Sequence, residues 1–177
     1  SQNKPVKEWE RQREILNNIC SGWSSDPANP ILLFSPDGVS MGLLEDGWEP
    51  NWSPDGESVV FSSETGSRLG IHVRNPDGVN QRHMTCGKDY DAVWSPDSKR
   101  LAFISEREGN PDIYVMERDA EDELCPNTKD SRKEVLRLSE TDEAESDISW
   151  SPDSKQLLFV SERDGNKEIY VMESSGN

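Results

Sequence analysis

A short motif occurs three times along this chain of 177 residues. The motif is Trp-Ser-Pro-Asp followed by Gly or Ser. It begins at Trp52, Trp94 and Trp150, and a short apolar run follows each copy. After the second and third copies the chain repeats a longer phrase, which begins at Ser105 and Ser161 and ends in Ile-Tyr-Val-Met. A recurring set of short strand-like runs predicts that one supersecondary unit is used several times.

The spacing of the motif predicts the architecture. Trp52 and Trp94 lie 42 residues apart, and a period of roughly 40–45 residues with four strands per unit is typical of β-propeller blades. The next spacing is 56 residues and indicates a charged surface insertion at residues 119–134, which contains Cys-Pro-Asn. We therefore expect an all-β fold, a β-propeller built from four-stranded antiparallel blades.

About three and a half blades of roughly 42 residues fit this chain. The predicted blades are 31–45 (partial), 47–86, 91–139 with the insertion, and 147–177 (partial). Closed propellers use roughly 4–8 blades, and an unclosed one leaves sheet edges exposed. The sequence therefore predicts a protein partner, or self-association, that completes the propeller.

The recurring motif also predicts a particular turn. Proline presets φ at the second turn position, Asp accepts a backbone hydrogen bond, and Gly tolerates positive φ. Ser98 and Ser154 replace the glycine found at Gly56, and we expect them only to strain the turn slightly. The same turn chemistry accounts for a set of carboxylates that otherwise resembles a repeated ligand set: Asp37, Asp55, Asp77, Asp97 and Asp153.

The Trp-Ser-Pro-Asp-Gly turn and the Ile-Tyr-Val-Met strand resemble the repeat of the TolB-type β-propellers, a WD40-like family, over residues 31–177. No blade ends in Trp-Asp, as true WD repeats do. The resemblance implies a non-catalytic propeller that acts as a protein–protein interaction scaffold, in the periplasm or outside the cell. Such blades also resemble the non-catalytic propellers of serine peptidases, so a segment of a larger serine peptidase is the alternative.

Composition limits the kinds of partner. The formal net charge of −16 argues against nucleic acids, whose phosphates require Lys and Arg, and against anionic membrane surfaces. No apolar run approaches the roughly 20 residues of a membrane span. A basic protein face or bound cations are compatible with this charge. The cysteines (Cys20, Cys86 and Cys125) are scattered, so neither zinc nor a disulfide framework is indicated, and a single disulfide is the alternative.

Residues 1–30 do not match the repeat. Apolar residues near helical spacing, with Pro5 suited to a first turn, predict a helix over residues 5–19. We interpret this segment as an arm that packs on the flank of the propeller. A docking helix for a partner and a degenerate strand near residues 19–21 are the alternatives.

No catalytic constellation emerges from the sequence. Gly38-Val39-Ser40-Met41-Gly42 matches a nucleophile-elbow pattern, but it aligns with an ordinary turn between strands in the next repeat. The two histidines, His72 and His83, both fall in predicted strands and belong to no metal or triad pattern. The sequence therefore predicts that this chain is not an enzyme.

One acidic set repeats in register. An acid precedes each motif tryptophan by three residues: Glu49, Asp91 and Asp147. The first strand of a propeller blade is innermost, so we expect these side chains to cluster at one mouth of the channel. Carboxylate oxygens suit Ca²⁺. The sequence thus predicts a calcium or small-ligand site at these residues, with a hydrated acidic rim as the alternative and no other cofactor.

Overall fold

The computed structural model describes residues 31–34, 40–44, 47–64, 69–77, 79–120 and 135–176. All regular structure in these residues is β-strand. The strands are β1 (Ile31–Phe34), β2 (Ser40–Leu44), β3 (Trp48–Trp52), β4 (Val59–Ser63), β5 (Gly70–Arg74), β6 (Arg82–His83), β7 (Asp89–Trp94), β8 (Arg100–Ser105), β9 (Asp112–Glu117), β10 (Leu136–Arg137), β11 (Glu145–Trp150), β12 (Gln156–Ser161) and β13 (Glu168–Glu173).

The strands form antiparallel sheets that follow chain order. β1 pairs with β2, β3–β6 form the first blade, β7–β10 form the second blade, and β11–β13 form the third blade, which has three described strands. This order confirms the predicted all-β fold of antiparallel four-stranded sheets. The predicted helix over 5–19 and residues 121–134 of the predicted insertion lie outside the described residues. Among those described, no helix has the length and apolarity needed to cross a membrane.

A first apolar core lies between the first and second blades. The first blade contributes Val60, Ile71 and Val73, which pack in one cluster with Trp94 and Phe103 of the second blade. Trp94, the tryptophan of the second motif copy, is 5% exposed in this core. This core holds the first two blades together, because fully buried aromatic and branched side chains contribute roughly 1.5–3 kcal/mol each.

A second core lies between the second and third blades. Successive strand residues point to opposite faces, so Ala102 and Val115 of the second blade pack away from the first core and against Leu157 and Phe159 of the third blade. Trp150 also borders this core but is only half-buried, as is Trp52. The three motif tryptophans are therefore not buried to the same extent.

Two contacts nevertheless hold the Trp150 ring in place. Its indole Nε1 donates a hydrogen bond to the carbonyl oxygen of Val93 at 3.2 Å. The guanidinium of Arg100 lies 4.8 Å from the ring centre, within the range of a cation–π contact. The half-exposed ring therefore serves as a contact between the second and third blades rather than as a core residue.

The motif turns are built as the sequence predicts. In the second blade Asp97 Oδ1 accepts hydrogen bonds from the Ser95 hydroxyl at 2.6 Å and from the Lys99 N–H at 3.2 Å. The Ser95 hydroxyl oxygen also accepts the N–H of Arg100 at 2.9 Å. The corresponding bonds recur in the turns of the first and third blades. Turn chemistry thus accounts for Asp97 and its described equivalents.

An arginine and a serine meet at each of the two junctions between blades. At the first junction Arg118 of the second blade donates from Nη2 to the hydroxyl of Ser58 in the first blade at 3.0 Å. At the second junction Arg100 of the second blade donates from Nη1 to the hydroxyl of Ser174 in the third blade at 3.1 Å. Ser58 and Arg100 hold equivalent places in their blades, as do Arg118 and Ser174. The two partners have therefore exchanged places between the junctions.

Candidate functional site

The three acids that repeat in register lie around one cavity. Glu49, Asp91 and Asp147 line a space of about 290 Å³, together with the one or two residues that follow each of them. These neighbours are Pro50, Asn51, Ala92, Val93 and Ile148. The structure therefore brings the predicted site residues together, and one equivalent segment of each blade forms the wall.

A β-bulge turns each acid toward this cavity. Glu49, Asp91 and Asp147 have φ values of 54°, 54° and 55°, in the left-handed region that side chains other than glycine seldom adopt. The pairing of each first strand with its neighbour shifts at the same place, between residues 48 and 51, 90 and 93, and 146 and 149. Because a bulge re-aims side chains, this repeated irregularity produces the clustering.

Glu49 and Asp91 interact directly. The Asp91 N–H donates a hydrogen bond to Glu49 Oε2 at 2.9 Å, and the Ser62 hydroxyl approaches the same oxygen at 3.5 Å. Glu49 is exposed to solvent as a residue, but the protein atoms around its carboxyl raise the pKa of this group to about 7, and the neighbouring carboxylate of Asp91 adds to this rise. Both effects disfavour a charged carboxylate. Glu49 therefore changes its charge near neutral pH.

Replacing Glu49 with Gln should change how stability depends on pH. A carboxyl whose pKa is raised in the folded state contributes stability that is present below its unfolded pKa and lost as pH rises through its folded pKa. The parent should therefore lose stability between about pH 5 and pH 8, whereas Glu49→Gln retains the uncharged form and lacks this loss. Melting temperatures at both pH values measure the difference.

Asp147→Asn is the matched control, because it removes one negative charge from the same cavity without altering the Glu49–Asp91 contact. Glu49→Gln should melt at or near the parent temperature at pH 5 and above it at pH 8. Equal shifts at the two pH values would contradict the assignment. Solvent screens the exposed end of Glu49, so the effect is expected to be modest.

Three residues with carboxylate side chains line the cavity. Carboxylates that lie near one another favour the binding of cations or protons. Ser146 donates a hydrogen bond from its hydroxyl to Asp147 Oδ2 at 2.9 Å. Within the described ranges, no group of three or more His, Cys, Asp or Glu side chains is close enough to form a metal shell. The calcium site at Glu49, Asp91 and Asp147 therefore stays a prediction.

The histidines form a stack inside the first blade. The rings of His72 and His83 lie 4.2 Å apart and almost parallel, and Phe61 stacks on the other side of His72 at 5.3 Å. His72 lies in a strand, as predicted, and is 3% exposed. Of the nucleophile-elbow pattern, Ser40 and Gly42 fall in β2, while residues 38 and 39 lie outside the described residues.

The turn serines have a role that their sequence pattern did not predict. Ser98 and Ser154 have φ values of 58° and 61°, and their hydroxyls accept the backbone N–H of the preceding blade's turn aspartate. The Asp55 N–H donates to Ser98 Oγ at 3.0 Å, and the Asp97 N–H donates to Ser154 Oγ at 3.2 Å. The serines therefore link neighbouring blades, and the expectation that they only strain the turn was incomplete.

Ser98→Ala should destabilise the chain more than Ser98→Gly. Both variants lose the hydrogen bond to Asp55, a loss of roughly 1 kcal/mol, but alanine keeps a Cβ in the left-handed conformation while glycine relieves it. Urea unfolding at equal protein concentration gives both free energies. If alanine and glycine are equally tolerated at wild-type stability, the link between blades is not a stabilising contact.

Buried ion pairs support the blades on the side opposite the motif turns. Asp89 has a side chain that is 0% exposed and pairs with Arg107 at 3.3 Å, and Glu145 pairs with Arg163 in the same way at 3.1 Å. The repeated Ser-Glu-Arg phrase supplies these arginines. The repeated phrase can be seen in the sequence. The acidic residues that pair with its arginines lie 18 residues earlier, so the phrase by itself did not identify them.

Cys86 is disulfide-bonded. The scattered cysteines gave no pattern from which this bond could be predicted, because connectivity depends on which loops meet in three dimensions. Disulfides persist in oxidising compartments, so this bond bears on where the protein resides.

Part of the repeat region matches the model of a known protein family. Residues 45–128 match the model of the TolB beta propeller domain. This span covers the first blade and the first three strands of the second blade, with the two junction arginines, Arg100 and Arg118. The resemblance carried by the motif turns is therefore confirmed by the family model.

Solved structures share the fold. A TolB structure from Agrobacterium tumefaciens matches with a TM-score of 0.63 and 19% identity, over 79% of this chain and 50% of that one. TolB from Acinetobacter baumannii matches with a TM-score of 0.62 and 23% identity, over 84% and 36%. The β-propeller domain of the Trilobed protease from Pyrococcus furiosus matches with a TM-score of 0.54 and 18% identity, over 73% and 39%.

The chain spans half or less of the length of these solved structures. Their identities are low, so the likeness speaks for the fold alone. The fold likeness and the family match agree on the same repeat unit. Residues 45–128 of this chain therefore match the TolB-type β-propeller family.

Proposed function

We propose that residues 31–177 form a non-catalytic TolB-like propeller segment that acts as a protein–protein interaction scaffold, preceded by an arm over residues 1–30. One observation carries the proposal. The third blade exposes Leu158, Ile169 and Val171 on one side of its sheet, at 43%, 75% and 58%. A contiguous exposed apolar surface marks a site of protein contact.

Site-specific photo-cross-linking tests this proposal. A photoreactive residue in place of Ile169 should form adducts with a protein in the native host, because this side chain lies at the centre of the apolar surface. The same residue in place of Lys167, on an exposed polar position nearby, is the matched control. Equal yields at both positions, or none at Ile169, would contradict a scaffold role for this surface.

A propeller segment of a larger serine peptidase is the alternative that the fold likeness to the Trilobed protease favours. In such an enzyme the propeller carries no catalytic residue, so the described residues are compatible with it. A fluorophosphonate probe applied to the full-length native protein separates the two functions. Labelling of a serine outside residues 31–177 favours the peptidase.

A cation-binding module is a further candidate, supported by the shared cavity of Glu49, Asp91 and Asp147. A ligand that binds only the folded state stabilises it by mass action, so millimolar calcium should raise the melting temperature. Asp91→Asn should weaken that response. If calcium and magnesium raise melting equally and Asp91→Asn behaves like the parent, the ions only screen a very acidic surface.

We place the protein in the periplasm or outside the cell. The disulfide of Cys86 supports this location, because glutathione and thioredoxin keep cytosolic thiols reduced. Fractionation of the native host with thiol labelling of Cys86 before and after reduction tests it. A free Cys86 in freshly lysed cells would argue for the cytosol.

A further inference from the structure

A serine lies between two buried acids where the second blade meets the third. Asp112 is the first residue of β9, Ser139 follows β10, and Glu145 is the first residue of β11. The three residues are 0%, 3% and 2% exposed. Ser139 Oγ lies 3.3 Å from Asp112 Oδ1 and 2.7 Å from Glu145 Oε2. A single hydroxyl therefore contacts buried carboxyl groups from both blades.

This hydroxyl has only one proton to share between the two acids. A serine hydroxyl donates a single hydrogen bond and accepts with its lone pairs, and Ser139 Oγ already accepts the N–H of Ile113 at 2.8 Å. The shorter of the two contacts assigns the proton to Glu145. Asp112 Oδ1 then faces a lone pair, and the contact becomes a hydrogen bond only when Asp112 itself carries a proton.

Glu145 is already supplied with donors. Its Oε1 accepts the Thr141 hydroxyl at 2.7 Å and Arg163 Nη2 at 3.1 Å, and its Oε2 accepts the serine hydroxyl. Asp112 Oδ2 accepts from Arg137 Nη2 at 2.7 Å. Within the described ranges, the serine hydroxyl is the polar group that contacts Asp112 Oδ1. An added proton thus completes the hydrogen bonding of Asp112 rather than that of Glu145.

The surroundings of Asp112 disfavour its charge. Burial raises the pKa of its carboxyl, the guanidinium of Arg137 opposes this rise, and the negative charge of Glu145 adds to it. The net shift is upward, because the hydration that the carboxylate loses is not fully replaced by its partner. The geometry and the electrostatics therefore assign the proton to the same group.

The other titratable groups on the elements packed around Asp112 are already paired or uncharged. They are the ion pairs Arg163–Glu145 and Arg107–Asp89, the acid Glu140 near Arg137, and the phenol of Tyr114. Burial raises the pKa of Tyr114, so this phenol carries no charge at neutral pH. In the part of the chain that the structure describes, Arg137 is therefore the cation that contacts Asp112, and its side chain is 30% exposed to water.

We propose that Asp112 is a proton-binding site that joins the second and third blades, through a relay in which its carboxyl donates to Ser139 and Ser139 donates to Glu145. The proton comes from solvent and adds to Asp112 Oδ1 without any other bond being broken. With the proton bound, each contact between the two acids has one donor and one acceptor. A pH-sensitive junction goes beyond the proposed scaffold function, since it requires no partner protein.

The junction should become more stable as pH falls. A carboxyl whose pKa is raised in the folded state contributes stability that is fully present below its unfolded pKa, roughly 3.9 for aspartate, and lost as pH rises through its folded pKa. Glu49 changes stability in the same direction. The test is therefore made in a Glu49→Gln background, in which that group cannot titrate.

Asp112→Asn fixes the relay in its protonated form. The amide N–H donates to Ser139 and the amide oxygen accepts from Arg137 at any pH. We expect the urea midpoint of Asp112→Asn to match that of the Glu49→Gln parent at about pH 4 and to exceed it at about pH 8. A midpoint below that of the parent at the higher pH, or an equal difference at the two pH values, overturns the proposal.

Asp89→Asn is the matched control. Asp89 is an equally buried acid of the same blade, but both of its oxygens accept from Arg107, at 3.4 and 3.3 Å. An amide at this place turns an N–H group toward the guanidinium, so the midpoint of Asp89→Asn should fall at about pH 8. If Asp89→Asn and Asp112→Asn respond alike, the serine relay does not distinguish Asp112 and the proposal is wrong.

Carbon NMR of the folded protein gives a readout that does not depend on unfolding. The carboxyl carbon of Asp112 should titrate with a midpoint above roughly 3.9, and Glu145→Gln should lower that midpoint because it removes the neighbouring negative charge. Glu143→Gln, at an exposed acid two residues before Glu145, should leave it unchanged. A midpoint at or below that of free aspartate, or an equal response to the two variants, shows that no proton links the blades.

Discussion

Replacing Trp94 with alanine is expected to lower the free energy of unfolding by about 3–5 kcal/mol, as other large-to-small changes in packed cores do. Trp94 is 5% exposed in the core between the first and second blades. The Arg118 guanidinium lies 5.3 Å from its ring, so the change also removes a cation–π partner at the junction. Urea unfolding followed by far-ultraviolet circular dichroism measures the loss.

Trp150→Ala is the matched control for Trp94→Ala. It removes the same side chain from the same motif position, but this ring is half-buried, so less apolar surface returns to water. A loss below 1 kcal/mol for Trp94→Ala, or equal losses for the two tryptophans, would contradict the packing described for the first core.

Replacing Asp89 with alanine is expected to cost about 3–5 kcal/mol, because removal of one partner leaves a charge in a largely buried place. Asp89 is fully buried at its side chain, and that of Arg107 is 13% exposed. Arg107 also lies 4.7 Å from the ring of Tyr114, which holds it in position when its partner is lost. Chemical denaturation of the variant and the parent gives the difference.

An exposed pair in the same blade provides the control for Asp89→Ala. Lys88 and Glu106 lie 3.1 Å apart with the lysine side chain 70% exposed, and Lys88→Ala should cost less than about 1 kcal/mol. In the double variant Asp89→Ala/Arg107→Met, part of the loss should return, because no unpaired charge remains. If Asp89→Ala and Lys88→Ala have equal effects, burial does not govern the pair.

The fold could be predicted from the sequence because short-range interactions determine the turns and strands of each repeat. The turn that contains Asp97 needs only hydrogen bonds within a few residues, and the strand that carries Phe103 follows from its apolar run. Both recur at a fixed period, so one correct interpretation applied to every blade. The clustering of Glu49, Asp91 and Asp147 followed from the same reasoning, since equivalent positions in adjacent blades are neighbours in space.

The features that were missed depend on how strands and blades lie beside one another in space. The left-handed φ of Asp91 arises from a bulge against β8, and no single residue signals it. The Ser98 hydroxyl meets a donor 43 residues away, in the neighbouring blade. Such contacts appear only once the blades have been placed side by side.

The exchanged arginine and serine at the two junctions have a consequence for assembly. Blades with nearly the same sequence risk pairing with the wrong neighbour while the chain folds, which is a known failure of tandem repeats. If two second blades from different molecules stacked in the native manner, Arg100 of one would confront Arg118 of the other, and like charges at such a contact repel. Correct neighbours instead bring each arginine to a hydroxyl. The unequal junctions thus disfavour contacts between two copies of the same blade and favour the native order of otherwise similar blades.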